Sequence, residues 1–254
     1  MIDGIGPAPP PPFVPGALGG PASIADYVPV HLLLVPAVLV AVAWTLQHGP
    51  LDMRIAALFF DPKRGFVGHH LPWLDILGHE AARSLPILVG ALSVAAGAAA
   101  RWRPLWRPWR PILFSIGAAM LAGPLAIAVM KSMTSQHCPT DTLEFGGIVA
   151  HALDQAAPFW AATRQAAGRC LPSGHAGGGY ALLCLYFAGW AAGRPAWRWG
   201  GLAVGVSAGL VFSVVRMMQG AHFASATIWS AAIDWLVCAL IFMPLLCRKS
   251  PPRN

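Results

Sequence analysis

The chain has 254 residues, of which 56% are apolar and only 11% charged, whereas an average soluble domain carries about 25% charged residues. So few polar side chains cannot cover a water-facing surface, which excludes a soluble globular protein and predicts a single integral membrane domain. The formal charge of +7 resides in basic residues clustered beside apolar runs, pointing to lipid headgroups and membrane orientation, with no nucleic-acid partner.

Residues 1–27 hold six prolines in the first fifteen positions and neither Lys nor Arg, which predicts a flexible Pro-rich leader and argues against a signal peptide. Val28–Gln47 is an apolar run long enough to cross about 30 Å of hydrocarbon. From Leu51 to Arg83, the charged residues Asp52, Arg54, Asp61, Lys63, Arg64, Asp75 and Glu80 interleave with Ile, Leu, Phe and Trp, so an amphipathic interfacial segment is expected there. Further spans are predicted at Ser84–Ala100, Pro111–Met130, His175–Ala192, Gly200–Val215 and Thr227–Cys247. Together these make an all-α, six-transmembrane-helix bundle over residues 28–247, followed by a basic tail at 248–254.

Six spans place both termini on one side. The short connections Arg101–Arg110 and Gly193–Arg198 are rich in Arg, and the tail carries Arg248, Lys249 and Arg253, so these are assigned to the cytoplasm. Trp102, Trp106 and Trp109 fit an interfacial aromatic belt. The opposite connections, with Asp141, Glu144 and Asp154, then face the exterior, as on the periplasmic face of a bacterial inner membrane.

Three polar clusters fall on that exterior side. They are Lys131 with His137, Cys138, Pro139 and Asp141; Arg169 and Cys170 with Pro172, Ser173, Gly174 and His175; and Arg216 with His222. Ionisable groups at membrane depth are costly, which makes such clusters candidates for function. Two His, a Ser, a Lys and an Arg without a carboxylate pair suit a phosphoryl group. The cations neutralise its oxygens, the Ser hydroxyl and the amides of a helix start donate to them, one imidazole attacks phosphorus and the other protonates the leaving oxygen. A metal site built from His137, Cys138, Cys170 and His175 matches no closed zinc pattern, and Lys and Arg beside it would repel a cation.

Lys131 followed by Cys138-Pro139, the run Pro172-Ser173-Gly174-His175, and Arg216 five residues before His222 resemble the three signature motifs of the type 2 phosphatidic acid phosphatase superfamily. That resemblance implies a six-helix membrane phosphatase or phosphotransferase, working without metal or other cofactor on a phosphorylated lipid through a phosphohistidine. By position it implies that Lys131, Ser173, Gly174 and Arg216 bind phosphate, that His222 is the nucleophile and that His175 is the general acid. Lipid substrates of the isoprenoid pyrophosphate, lipid A or glycerophospholipid phosphate classes are compatible with it.

Three positions depart from the pattern. Cys138 stands where the first motif has Arg, Val215 where Ser precedes the Arg of the third, and Ala226 where an Asp orients the nucleophilic imidazole. Asp234, the nearest downstream carboxylate, is about 18 Å further along a helix. Ser225 or Asp141 is therefore a candidate to hold His222, and His137 or Arg169 to replace the missing cation. The missing Asp also keeps open a rival reading, a catalytically impaired protein that binds or moves lipid phosphate. Cys138 and Cys170 lie in two loops beside the motifs and are able to pair in an oxidising compartment, although sequence alone leaves connectivity open, while Cys184, Cys238 and Cys247 fall within spans.

Overall fold

The computed structural model describes residues 23–151 and 168–247; the proline-rich stretch 1–22, Asp154 and the tail 248–254 lie outside the described residues. The first apolar run forms helix α1, Ile24–His48, which begins at Ser23, whose side chain accepts a hydrogen bond from the Asp26 amide. Residues Val28–Leu34 widen into a π-helical stretch just ahead of Pro36, which has no N–H to give the Leu32 carbonyl. The later long helices are α3 (Ala82–Ala99), α4 (Arg110–Met133), α7 (Pro195–Met218) and α8 (Ala224–Leu246). With α1 they make five helices long and apolar enough to cross a membrane. Over their most apolar stretches 11% of residues are buried in α1 and 44% in α8, so α8 is the central helix and α1 a peripheral one.

The segment expected as a sixth continuous span, His175–Ala192, is divided. It comprises α5 (Gly174–Tyr180), a 3-10 turn at Ala181–Leu183 and α6 (Cys184–Ala191), and neither helix is long enough to cross a bilayer by itself. The cause lies in Gly177, Gly178 and Gly179, which let neighbouring backbones come closer than any side chain would allow. A Cβ at Gly178 would strike the Ala82 carbonyl, and one at Gly179 would meet the Ala208 backbone at 2.7 Å. Residues 176–184 are buried as a result, so this segment is enclosed by protein beside α8. On the facing helix, Gly201, Gly205 and Gly209 recur every fourth residue and seat Leu185, Leu183 and Tyr180, the small-residue spacing by which membrane helices approach closely.

The expected amphipathic segment is built of several short elements. It contains α2 (Leu51–Ala57), a two-stranded antiparallel hairpin of β1 (Phe60–Asp61) and β2 (Gly65–Phe66), and short helical turns at Val67–His70, Pro72–Asp75 and Ile76–Ala81. The Asp61 carboxylate holds the hairpin turn by accepting from the amides of Lys63 and Arg64, at 2.7 and 3.1 Å. Phe60, Phe66 and Phe145 form an aromatic cluster with centroids 5.1–5.4 Å apart, and Phe223 packs into it. These contacts draw the segment over the ends of α7 and α8. It therefore works as a cap, with Ala56, Phe66 and Leu74 buried against protein while Leu58, Trp73 and Ile76 stay exposed on its outer face.

The same cap caps α8 across the sequence. Asp52 is 1% exposed and its carboxylate accepts from the Ser225 amide, in the first turn of α8, at 2.9 Å. Burial pushes the Asp52 carboxyl up from the usual carboxylate range, opposed by hydrogen bonds from Ser225 and Ala224 and by the charge of His151. At the opposite end, Tyr27 Oη donates to the Ala239 carbonyl at 2.8 Å and Trp235 Nε1 to the His31 carbonyl at 3.1 Å, locking α1 to α8. Asp52→Ala leaves the first turn of α8 without its acceptor and should cost about 1–2 kcal/mol, read as a lower unfolding midpoint of the detergent-solubilised protein. Asp52→Asn, which keeps an acceptor oxygen, should recover most of that loss.

Candidate active site

Each predicted motif lies at a helix end on the capped side of the bundle. Lys131 sits in the last turn of α4. The chain then leaves α4 and runs beside residues 168–171, with Gly168 N donating to the Ser135 carbonyl at 3.1 Å and Cys170 N to the Gln136 carbonyl at 2.8 Å. The Thr134 hydroxyl donates to the Leu171 carbonyl. A disulfide joins Cys138 to Cys170, with their Cα atoms 5.2 Å apart, so the loops of the first and second motifs are covalently linked. Cys184 and Cys238 are buried free thiols.

Ser173 precedes α5 as its N-cap, its side chain accepting from the Ala176 amide. It is fully buried and doubly tied to α8, since Ser173 N donates to the Ala226 carbonyl at 3.0 Å and Ser230 Oγ donates to the Ser173 carbonyl at 2.8 Å. Gly174 is different: a Cβ there would meet nothing, so the start of α5 opens outward. Gly174 and His175 close one end of a groove of about 460 Å³ between α3 and α4, walled by Pro86, Ile87, Met120, Leu121 and Leu125, with Arg83 beside the same end.

Arg216 lies in the last turn of α7 and is aimed by two residues that sequence reasoning missed. Its Nη1 donates to Gln219 Oε1 at 2.7 Å, and Gln219 Nε2 donates to Asp75 Oδ1 at 2.7 Å. The only signal for Gln219 was its place one helical turn after Arg216; Asp75 comes from the cap, and nothing in the sequence linked it to the third motif. Gly220, with φ of 63°, then reverses the chain in a conformation that side chains resist, while the Phe66 ring lies directly against it. That reversal delivers His222 into the interior.

His222 is 3% exposed, and its Nδ1 lies 2.8 Å from the carbonyl oxygen of Cys170. A carbonyl can only accept, so Nδ1 carries the proton and Nε2 presents a lone pair. Burial pushes the imidazole well below the usual histidine range. The charges of Lys131 and Arg216 push it further down, His175 does so more weakly, and the hydrogen bond to Cys170 opposes them. Lys131, His175 and Arg216 thus converge on His222 from three helices. The other candidates do not: Ser225 is bonded to Asp52, Asp141 accepts from the Cys138 amide at 3.0 Å, and neither bonds His222. Arg169, considered with His137 for the missing cation, is exposed. Asp234 is buried within α8 against Gly123 and Gly177, away from the imidazole.

A helical membrane protein that gathers a buried neutral imidazole, a second imidazole and two cations at one end of its bundle is of the phosphoryl-handling class. The chain belongs to the PAP2 superfamily, whose family model matches residues 112–245, just over half of the chain, and takes in all three motifs. That membership implies phosphatase-type activity on phosphorylated substrates. No curated protein and no solved structure matches the chain. Because every charge acting on His222 disfavours its protonation, nitrogen-15 histidine NMR at about pH 6 should find it neutral and protonated on Nδ1, where an ordinary histidine is mostly charged. A His222 signal titrating at or above about 6.5 would contradict this electrostatic description.

Proposed function

We propose that the protein is a metal-independent phosphatase or phosphotransferase acting on a phosphorylated lipid at the outer leaflet through a phosphohistidine on His222. The observation that carries this reading is the buried His222, its Nδ1 committed to a carbonyl and its Nε2 left beside Lys131, Arg216 and His175. Lys131, Arg216, Ser173 and the open backbone at Gly174 bind the phosphoryl oxygens. Nε2 forms an N–P bond as the bridging P–O bond breaks, and protonated His175 gives its proton to the leaving oxygen. In the second step neutral His175 takes a proton from water as the water oxygen attacks phosphorus, and the N–P bond breaks to release phosphate. If the hydroxyl of another lipid takes the place of water, the outcome is transfer.

The groove between α3 and α4 supports a lipid substrate, since it is walled by apolar side chains and ends at Gly174 and His175. Its walls hold the hydrocarbon chain while the headgroup meets the cations. With the segment 174–191 counted as the sixth crossing, both termini lie on the cytoplasmic side, the Arg-rich connections face the cytoplasm and the site faces the exterior. The periplasmic face of a bacterial inner membrane satisfies these conditions.

Phosphate release from a panel of lipid phosphates and diphosphates, with EDTA present throughout, tests the reading. The parent protein should turn over in EDTA, His222→Ala should lose at least about 10³-fold in kcat, and His175→Ala about 10²–10⁴-fold. Full loss in EDTA would refute the metal-independent mechanism. Absence of release from every lipid, with phosphate binding intact, would favour the impaired lipid-phosphate binder that Ala226 suggests.

A further inference from the structure

We propose that the Cys138–Cys170 disulfide is a redox-sensitive positioning element for His222, acting through the Cys170 carbonyl that takes the place of the orienting carboxylate missing at Ala226. The proposal rests on His222 being the nucleophile. Two departures from the family pattern are then one arrangement. Ala226 removes the acceptor that would hold Nδ1–H, and Cys138 supplies half of a crosslink that fixes a substitute acceptor in place.

A backbone carbonyl needs such a clamp. A carboxylate presents two charged oxygens on a side chain that packing can hold, whereas the direction of a carbonyl is set by the backbone dihedrals on either side of it. Next to Cys170, Arg169 has φ of 52°, the left-handed region that non-glycine residues avoid unless their surroundings impose it. What imposes it is the loop leaving α4: Gln136 accepts from Cys170 N, Ser135 accepts from Gly168 N, and Cys138 is bonded to Cys170 itself. That loop is anchored in turn, Cys138 N donating to the Asp141 carboxylate and Thr140 N to the Gly220 carbonyl at 3.2 Å, two residues before His222. The crosslink thus closes a ring that contains the nucleophile's acceptor and the turn that presents the nucleophile.

Cys138 is partly exposed while Cys170 is 4% exposed, so a thiol reductant reaches the bond at the Cys138 sulfur. A dithiol would supply two electrons and two protons, leaving two cysteine thiols and becoming a cyclic disulfide itself. The turn at 168–170 then keeps its hydrogen bonds to Ser135 and Gln136 but loses its covalent tie, and the Cys170 carbonyl turns away from His222 as rotation about Cys170 ψ and Leu171 φ is released. With no fixed acceptor, His222 populates the tautomer protonated on Nε2, which has no lone pair to offer phosphorus. Lys131 and Arg216 stand on α4 and α7 and keep their places, so the phosphate is still bound.

The test compares the full-length detergent-solubilised protein when oxidised, when reduced by dithiothreitol and when reoxidised, with thiol labelling and mass spectrometry to establish the state of the bond. Reduction should lower kcat about 10- to 100-fold with KM within about twofold, and reoxidation should restore it. Cys138→Ser should have the low rate from the start and ignore dithiothreitol. Histidine nitrogen NMR should find His222 protonated only on Nδ1 when oxidised and as a tautomer mixture when reduced, with inorganic phosphate still bound. Unchanged kcat in fully reduced protein, an unchanged tautomer, or a loss of kcat accompanied by loss of phosphate binding would each overturn the proposal, the last by making the bond merely structural. If the oxidised parent releases no phosphate from any lipid, the proposed activity fails, while the tautomer comparison still decides the role of the disulfide.

Discussion

The hydrogen bond from His222 Nδ1–H to the Cys170 carbonyl depends on a conflict that the rest of the fold resolves. An imidazole buried beside Lys131, Arg216 and His175 is held neutral, because desolvation and the neighbouring cations outweigh the hydrogen bond to Cys170 that favours its charged form. A neutral imidazole still has one N–H to satisfy, and its place decides which nitrogen is nucleophilic. A carboxylate partner would answer both needs by drawing positive charge onto the ring; a carbonyl fixes the tautomer and leaves the ring neutral.

Bringing those groups together depends on close packing between helices that have little hydrophobic reason to associate in lipid. Glycines at 177–179 in α5 and at 201, 205 and 209 in α7 let backbones meet, which sets the height of His175 relative to Arg216. Gly123 and Gly177 likewise leave room for the Asp234 carboxyl between α4, α5 and α8. The cap supplies what the helices cannot: Asp52 holds the start of α8, Asp75 holds Gln219 and through it Arg216, and Phe66 backs the turn at Gly220. Asp52 and Asp75, far apart in an apparently interfacial segment, thus meet two different partners at the site end.

Much of this was legible in the chain. Apolar runs separated by Arg-rich connections gave the membrane class and the positions of five long helices, and residue types at set spacing gave Lys131, Ser173, His175, Arg216 and His222. The 3-10 turn within the span expected at His175–Ala192 was not legible because hydropathy weighs side chains, and the glycines beside that turn act through the side chains they lack. The protein contacts of the 51–83 segment were not legible for a related reason: alternating charge and apolar surface looks the same whether it faces a bilayer or a protein. The partner of His222 was not legible at all. Ser225 and Asp141 were sought because they carry side-chain oxygens, whereas the acceptor is a main-chain oxygen, which every residue has.

The sequence by itself determined the class of protein and the chemical inventory of its site, because hydropathy sets what a segment can be immersed in and side-chain chemistry sets what a group can bind or give up. Only the tertiary structure decided which groups act together. The left-handed turn at Arg169, the joining of Cys138 to Cys170 and the close approach of Gly220 to Phe66 arise from contacts between residues far apart in the chain. The direction of the Cys170 carbonyl follows from those contacts, and with it the nitrogen of His222 that carries the proton.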